Sequence, residues 1–130
     1  MTNQELIAKA KEAMTKAYAP YSHFQVGAAL LAKDGRVFTG CNVENATYGA
    51  TICAERTAVT KAVSEGVREF EKIAIVASSG DYAAPCGICR QVLFEFLPEG
   101  KVVLWSELEG EKEFALTELL PFGFHGEDIK

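Results

Sequence analysis

The chain has 130 residues, about half of them apolar, and its 18 acids outnumber its 13 lysines and arginines to give a formal net charge of −5. That length predicts a single domain over residues 1–130 with a real hydrophobic core, and charges interrupt every apolar run well short of the ~20 residues a membrane span needs. An acidic chain without a basic block argues against nucleic acid as partner, and the absence of a signal-peptide core in Met1–Ala17 predicts a cytoplasmic location.

Leu6, Ile7, Ala10, Ala13, Met14 and Ala17 recur at the helical period, predicting a helix over Asn3–Ala17 that Thr2 or Asn3 caps. Tyr18–Ser22, built around Pro20, reads as an irregular connection. Lys33-Asp34-Gly35 is a turn signal, so Phe24–Ala32 and Arg36–Asn42 should form an antiparallel hairpin. Cys41 ends the second arm and is expected to be a small core residue. Val43–Thr51 is polar and glycine-containing, a loop. Cys53–Glu65 reads as the second helix with Gly66 past its end. Glu71–Ala77 is a continuous apolar run, the mark of a strand buried on both faces. After a loop over Ser78–Pro85 come a helix over Cys86–Leu97, strands over Lys101–Trp105 and Lys112–Ala115, and a last helical turn from Thr117. The order predicts an α/β fold, a three-layer α/β/α sandwich on a mixed five-stranded sheet, with helix starts following strand ends where such sheets place their sites.

The chemistry concentrates in Cys53-Ala54-Glu55 and Pro85-Cys86-Gly87-Ile88-Cys89. Four cysteines could make two disulfides, but a C-x-x-C in a chain of ordinary core content points to metal or redox work. Cys86 and Cys89 share one helix face and Cys53 opens another helix, so the three suit one tetrahedral Zn²⁺ per chain. A structural zinc would want a fourth ligand, and His23 and His125 stand in no ligand spacing. Three protein ligands leave a position for water, as catalytic sites do. Glu55 is too hard a ligand to be needed by the metal. Such a residue is usually a solvated acid at a helix start, but its C-x-E pairing with the later P-C-x-x-C resembles the signature of zinc-dependent nucleobase deaminases, and that resemblance makes Glu55 the expected proton shuttle. Three thiolates carry −3 against the metal's +2. Arg56 could offset the excess by donating to sulfur, or could be a surface cation.

Further blocks carry a closer resemblance. Phe24-Gln25-Val26-Gly27-Ala28-Ala29-Leu30, Gly40-Cys41-Asn42-Val43-Glu44-Asn45-Ala46, Cys53-Ala54-Glu55-Arg56-Thr57-Ala58, Pro85-Cys86-Gly87-Ile88-Cys89-Arg90-Gln91 and Glu118-Leu119-Leu120-Pro121 resemble the short, homotetrameric, zinc-dependent cytidine deaminases, and the likeness runs from about Leu6 to Asp128. It implies hydrolytic deamination of cytidine and 2′-deoxycytidine to uridine and 2′-deoxyuridine, with release of ammonia, in pyrimidine salvage. It also implies that Asn42 and Glu44 hold the ribose, that Phe24 packs on the pyrimidine and that the Ala54 backbone faces the base edge. Phe124 and Tyr48 would reach a neighbouring subunit's site in a homotetramer. Read as residues alone, Asn42 and Glu44 fit a polar loop equally well and Phe24 fits a core. Phe122-Gly123 before Phe124 and His125 after it depart from the family pattern, and Arg90 and Gln91 receive no role. Two other readings compete: a deaminase of a different aminopyrimidine or of cytosine within RNA, and a zinc-stapled interaction module in which Glu55 is structural.

Overall fold

The computed structural model describes residues 1–129. They form α1 (Asn3–Met14), β1 (Val26–Ala32), β2 (Val37–Cys41), α2 (Ala54–Ser64), β3 (Phe70–Ala77), α3 (Gly87–Phe96), β4 (Lys101–Ser106), β5 (Gly110–Ala115) and α4 (Leu116–Leu119), with single 3₁₀ turns at Tyr48–Ala50 and Gly126–Ile129. The strands make one sheet in the order β2-β1-β3-β4-β5. β1 runs antiparallel to β2 and β3, β3 and β4 are parallel across α3, and β5 returns antiparallel to β4. The mixed five-stranded sheet is the one expected.

Strand alternation builds the layers. Ala28 and Leu30 of β1, Ile73 and Ile75 of β3, and Val102 and Leu104 of β4 face one core, completed by Ala58, Val59 and Ala62 of α2, Leu93 of α3 and Leu116 of α4. The intervening Ala29, Leu31, Ala74, Val76 and Val103 face a second core beneath Leu6, Ile7 and Ala10 of α1. β3 is therefore buried on both faces. Gly40 lets α2 sit directly on β2, because a methyl there would lie 2.4 Å from the Ala54 carbonyl and 2.5 Å from the Ala58 nitrogen. That contact sets where the first turn of α2 can be.

Several boundaries differ from the sequence reading. Thr2 caps α1 in a capping box with Glu5, as expected. The helix stops at Met14 rather than Ala17, because Thr15 closes it through its N–H and its hydroxyl, which donates to the Glu12 carbonyl at 2.7 Å. β1 starts at Val26 rather than Phe24. Hydroxyls take the preceding backbone donors: Phe24 N–H donates to Ser22 Oγ and Gln25 N–H to Ser78 Oγ, both at 3.0 Å. Cys41 is half-buried, not core, since α2 covers Phe38 and Gly40 on this edge strand and Cys41 falls on the opposite face.

Candidate active site

Cys53 is the N-cap of α2 and Cys86 the N-cap of α3. Both have extended backbones (φ −70°, ψ 153° and φ −67°, ψ 169°) and neither side chain caps its helix. Their thiols are thus free to turn outward. Cys89, in the first turn of α3, is buried, and the three Sγ atoms lie within 4.8 Å of one another. Thiolates on a tetrahedral Zn²⁺ with bonds of ~2.3 Å stand about 3.8 Å apart, so the cradle needs little closure to accept the ion. Two helix N-termini direct their positive ends at the sulfurs. A hydrogen bond from Cys89, reinforced by Arg56, holds the Cys53 thiol down to about 5. Cys89 is pushed up by the same shared proton and by burial. One thiolate is therefore ready at neutral pH, and a divalent cation would take the place of the shared proton. The donor set fits one zinc.

Glu55 stands in the first turn of α2, two residues after the Cys53 cap, and is only 6 % exposed. Burial pushes its carboxyl above the ordinary carboxylate range, and the charge of Cys53 acts in the same direction. A solvated acid at a helix start would show neither property. Arg56 turns its guanidinium onto the cradle, Nη2 donating to Cys53 Sγ at 3.5 Å, and its Nε is buried with no partner among the described residues. Arg56 is no free surface cation; it lies against sulfur.

A cavity of about 280 Å³ adjoins the cradle, lined by Cys53, Ala54, Glu55 and Cys86 together with Phe24, Asn42, Glu44 and Ser22. Val26, Ile75, Ala83 and Ala84 supply apolar wall. The volume is close to the small end of ligand cavities (~300–1,000 Å³) and suits a small molecule. Phe24 is 41 % exposed and faces this space instead of the core. Asn42 is buried, its Oδ1 accepting from Val26 N–H and its Nδ2 donating to the Phe24 carbonyl, both at 2.8 Å. Glu44 accepts from the backbone N–H groups of Tyr21 and Ser22 and from the Ser22 hydroxyl. The Ser22 hydroxyl, chiefly, holds the Glu44 carboxyl below its usual range.

Two of the expected residues are not in this cavity. Tyr48 is 78 % exposed and stacks edge-on against Tyr21 with ring centroids 6.3 Å apart. Phe124 is half-exposed, its N–H donating to Gln91 Oε1 and its carbonyl accepting from Gln91 Nε2. The sequence reading missed Ser22, Ala83 and Ala84, and it left Arg90 and Gln91 without roles. Gln91 grips the tail. Arg90 donates from Nε to the Pro85 carbonyl at 2.7 Å and from Nη1 to the Leu119 carbonyl at 2.8 Å, tying the Pro-Cys turn to α4. Ser22 stands four residues before β1, which starts at Val26, and its residue type alone does not announce the bond to Glu44.

Residues 1–105 match the family model described as the cytidine and deoxycytidylate deaminase zinc-binding region. The chain belongs to this family. It is 49 % identical over 130 residues to cytidine deaminase of Sporosarcina psychrophila, covering 99 % of this chain and 96 % of that one. Cytidine deaminase of Halalkalibacterium halodurans is 52 % identical over 130 residues, with 99 % and 98 % covered. Among solved structures, cytidine deaminase from Burkholderia pseudomallei superposes with a TM-score of 0.91 at 50 % identity, covering 95 % of this chain and all of that one. Of the described residues, no helix is long and apolar enough to cross a membrane.

Proposed function

We propose that the chain catalyses cytidine + water → uridine + ammonia, and the same reaction on 2′-deoxycytidine, as one catalytic domain over residues 1–130. The observation that carries this reading is Glu55: a buried carboxyl that lines a small-molecule cavity together with Cys53 and Cys86, two of three converging thiols. Zinc bound by Cys53, Cys86 and Cys89 would lower the pKa of a water from 15.7 toward ~7 and so supply the hydroxide nucleophile at neutral pH. Glu55 takes the first water proton and delivers it to ring N3 as oxygen adds to C4. It then carries the second proton to the 4-amino nitrogen, the C4–N bond breaks, ammonia leaves, and Glu55 is a carboxylate again. Burial suits this double duty, because a raised carboxyl pKa brings the group nearer neutral pH in both directions of transfer. Arg56 offsets part of the excess negative charge on sulfur.

Asn42 and Glu44 hold the ribose in this reading, Phe24 packs on the pyrimidine, and the Ala54 backbone faces the base edge. Phe124 and Tyr48 complete a neighbouring copy's cavity in a homotetramer. Their exposure supports that arrangement, together with the exposed Tyr18, Tyr21 and Phe122 on the same chain. The free nucleoside is favoured over cytosine within RNA by the net charge of −5. The enzyme would act in the cytoplasm, in pyrimidine salvage. The test is zinc-loaded protein mixed with cytidine, or with a cytosine-containing RNA oligonucleotide, while ultraviolet absorbance and ammonia are followed. One ammonia per uridine from the nucleoside, and none from the oligonucleotide, is expected. No ammonia from cytidine, or release from the oligonucleotide alone, overturns the reading.

A further inference from the structure

The loop before β1 holds a serine that no part of the chemistry above requires. Ser22 Oγ donates to Glu44 Oε2 and at the same time accepts the Phe24 N–H at 3.0 Å. The Ser22 and Tyr21 backbone N–H groups donate to the other Glu44 oxygen at 3.1 and 3.0 Å. Between Ser22 and Phe24, His23 adopts the left-handed conformation with φ 60°, uncommon for a residue other than glycine. Its own N–H closes onto the Ala19 carbonyl at 3.0 Å. The backbone thus turns sharply at His23, which is what lets one hydroxyl reach Glu44 on one side and Phe24 on the other. The Phe24 carbonyl is held in turn by Asn42 Nδ2 at 2.8 Å. Phe24 is clamped at both backbone ends by the two side chains assigned to the sugar, directly by Asn42 and through Ser22 by Glu44.

We propose that Ser22 is a positioning residue for substrate binding, its hydroxyl fixing Glu44 relative to Phe24 and so setting the register between sugar and base. The proposal rests on the reading that Glu44 contacts the sugar and Phe24 the base. It carries a count with it. A carboxylate has about four lone-pair positions, and three of those on Glu44 are taken by Tyr21, Ser22 N–H and Ser22 Oγ. One remains, so Glu44 accepts a single sugar hydroxyl. Ser22 does not touch the reacting atoms. Its loss therefore acts on the binding of substrate and leaves the chemical step alone.

The experiment is steady-state kinetics with cytidine on zinc-loaded Ser22→Ala, Ser22→Thr, Glu44→Gln and the Ser22→Ala/Glu44→Gln double variant, with zinc content and Tm measured on each. Ser22 is exposed, so both single replacements fit without disturbing a core. Ser22→Ala should raise KM about tenfold, the usual loss for a hydrogen bond to a charged group, with kcat within about twofold of the parent. Thr, which keeps the hydroxyl, should restore KM. The double variant should be no worse than Glu44→Gln alone, because both changes break one path. A parent-like KM in Ser22→Ala while Glu44→Gln raises KM overturns the Ser22 proposal and leaves the sugar assignment standing. A parent-like KM in Glu44→Gln overturns the sugar assignment itself. Equal falls in kcat and kcat/KM in Ser22→Ala, additive losses in the double variant, or no recovery with Thr would each make Ser22 merely structural and overturn the proposal.

Discussion

Two clusters share the cavity and are built by opposite means. The thiols and Glu55 are fixed by regular structure: two helix starts, one seated on β2 at Gly40 and the other following β3 in the parallel β3–α3–β4 unit. Glu44, Ser22, Phe24 and Asn42 are fixed by side-chain bonds to irregular backbone, with a left-handed residue in the middle. The first arrangement gives rigid geometry where protons and charge move, which is where small displacements cost most. In the proposed function the second would serve recognition, where a loop can be shaped around a ligand. The division makes a kinetic claim: damage to the helix-borne cluster falls on kcat, and damage to the loop-borne cluster falls on KM.

Glu55→Gln should break turnover most. The amide keeps shape and burial but relays no proton, and a general acid–base group contributes ~10²–10⁴-fold. Since the proposed reaction uses Glu55 twice, the loss should reach the upper end, with zinc retained at one per chain. Near-parent kcat in a zinc-loaded sample would remove the shuttle. The same variant also carries a stability signature. The folded pKa of Glu55 lies above its unfolded value, so the folded state binds the extra proton and is destabilised by losing it. That cost is absent at low pH, where both states are protonated, and grows as pH rises from the unfolded value (~4.3) through the folded one. Metal-free Glu55→Gln should therefore be more stable than its parent to urea at pH 8 and about equal at pH 4. A larger gain at pH 4 would reverse the sign.

Arg56→Gln comes next. It keeps a donor beside Cys53 but deletes the charge, leaving three thiolates less compensated. Turnover should fall about 10–100-fold, the range for partners that orient and tune metal ligands. The pH–rate profile should move alkaline, with KM little changed. A parent-like profile would leave the compensation to the helix N-termini alone. Phe124→Ala should have the smallest effect and should fall on KM: about fivefold, from an aromatic contact worth ~1 kcal/mol. Light scattering should give a tetramer in both parent and variant. A fully active monomer at assay concentration would contradict the shared cavity.

The same division explains what the sequence reveals and what it hides. Cys86 and Cys89 at i and i+3, and Cys53 with Glu55 at the other helix start, translate into space through helix geometry alone, so the cradle is legible in the residue spacing. The sheet is legible too, since the hairpin turn at Gly35, with φ 95°, and the apolar run of β3 are local signals. The role of Ser22 is not, because it depends on a turn at His23 that neither residue type announces. The same holds for Gln91, which finds the Phe124 backbone 33 positions away. The early stop of α1 and the late start of β1 have one cause: hydroxyls of Thr15, Ser22 and Ser78 compete with regular backbone pairing.

That the helix-borne cluster is an open three-thiolate metal centre can be decided by zinc-edge X-ray absorption on the purified protein. One zinc per chain is expected, with three sulfurs at about 2.3 Å and one oxygen ligand. Four sulfurs would mean that a further cysteine has closed the site, and a nitrogen ligand would mean that His23 or His125 has joined it. Either result would contradict an open position beside Glu55.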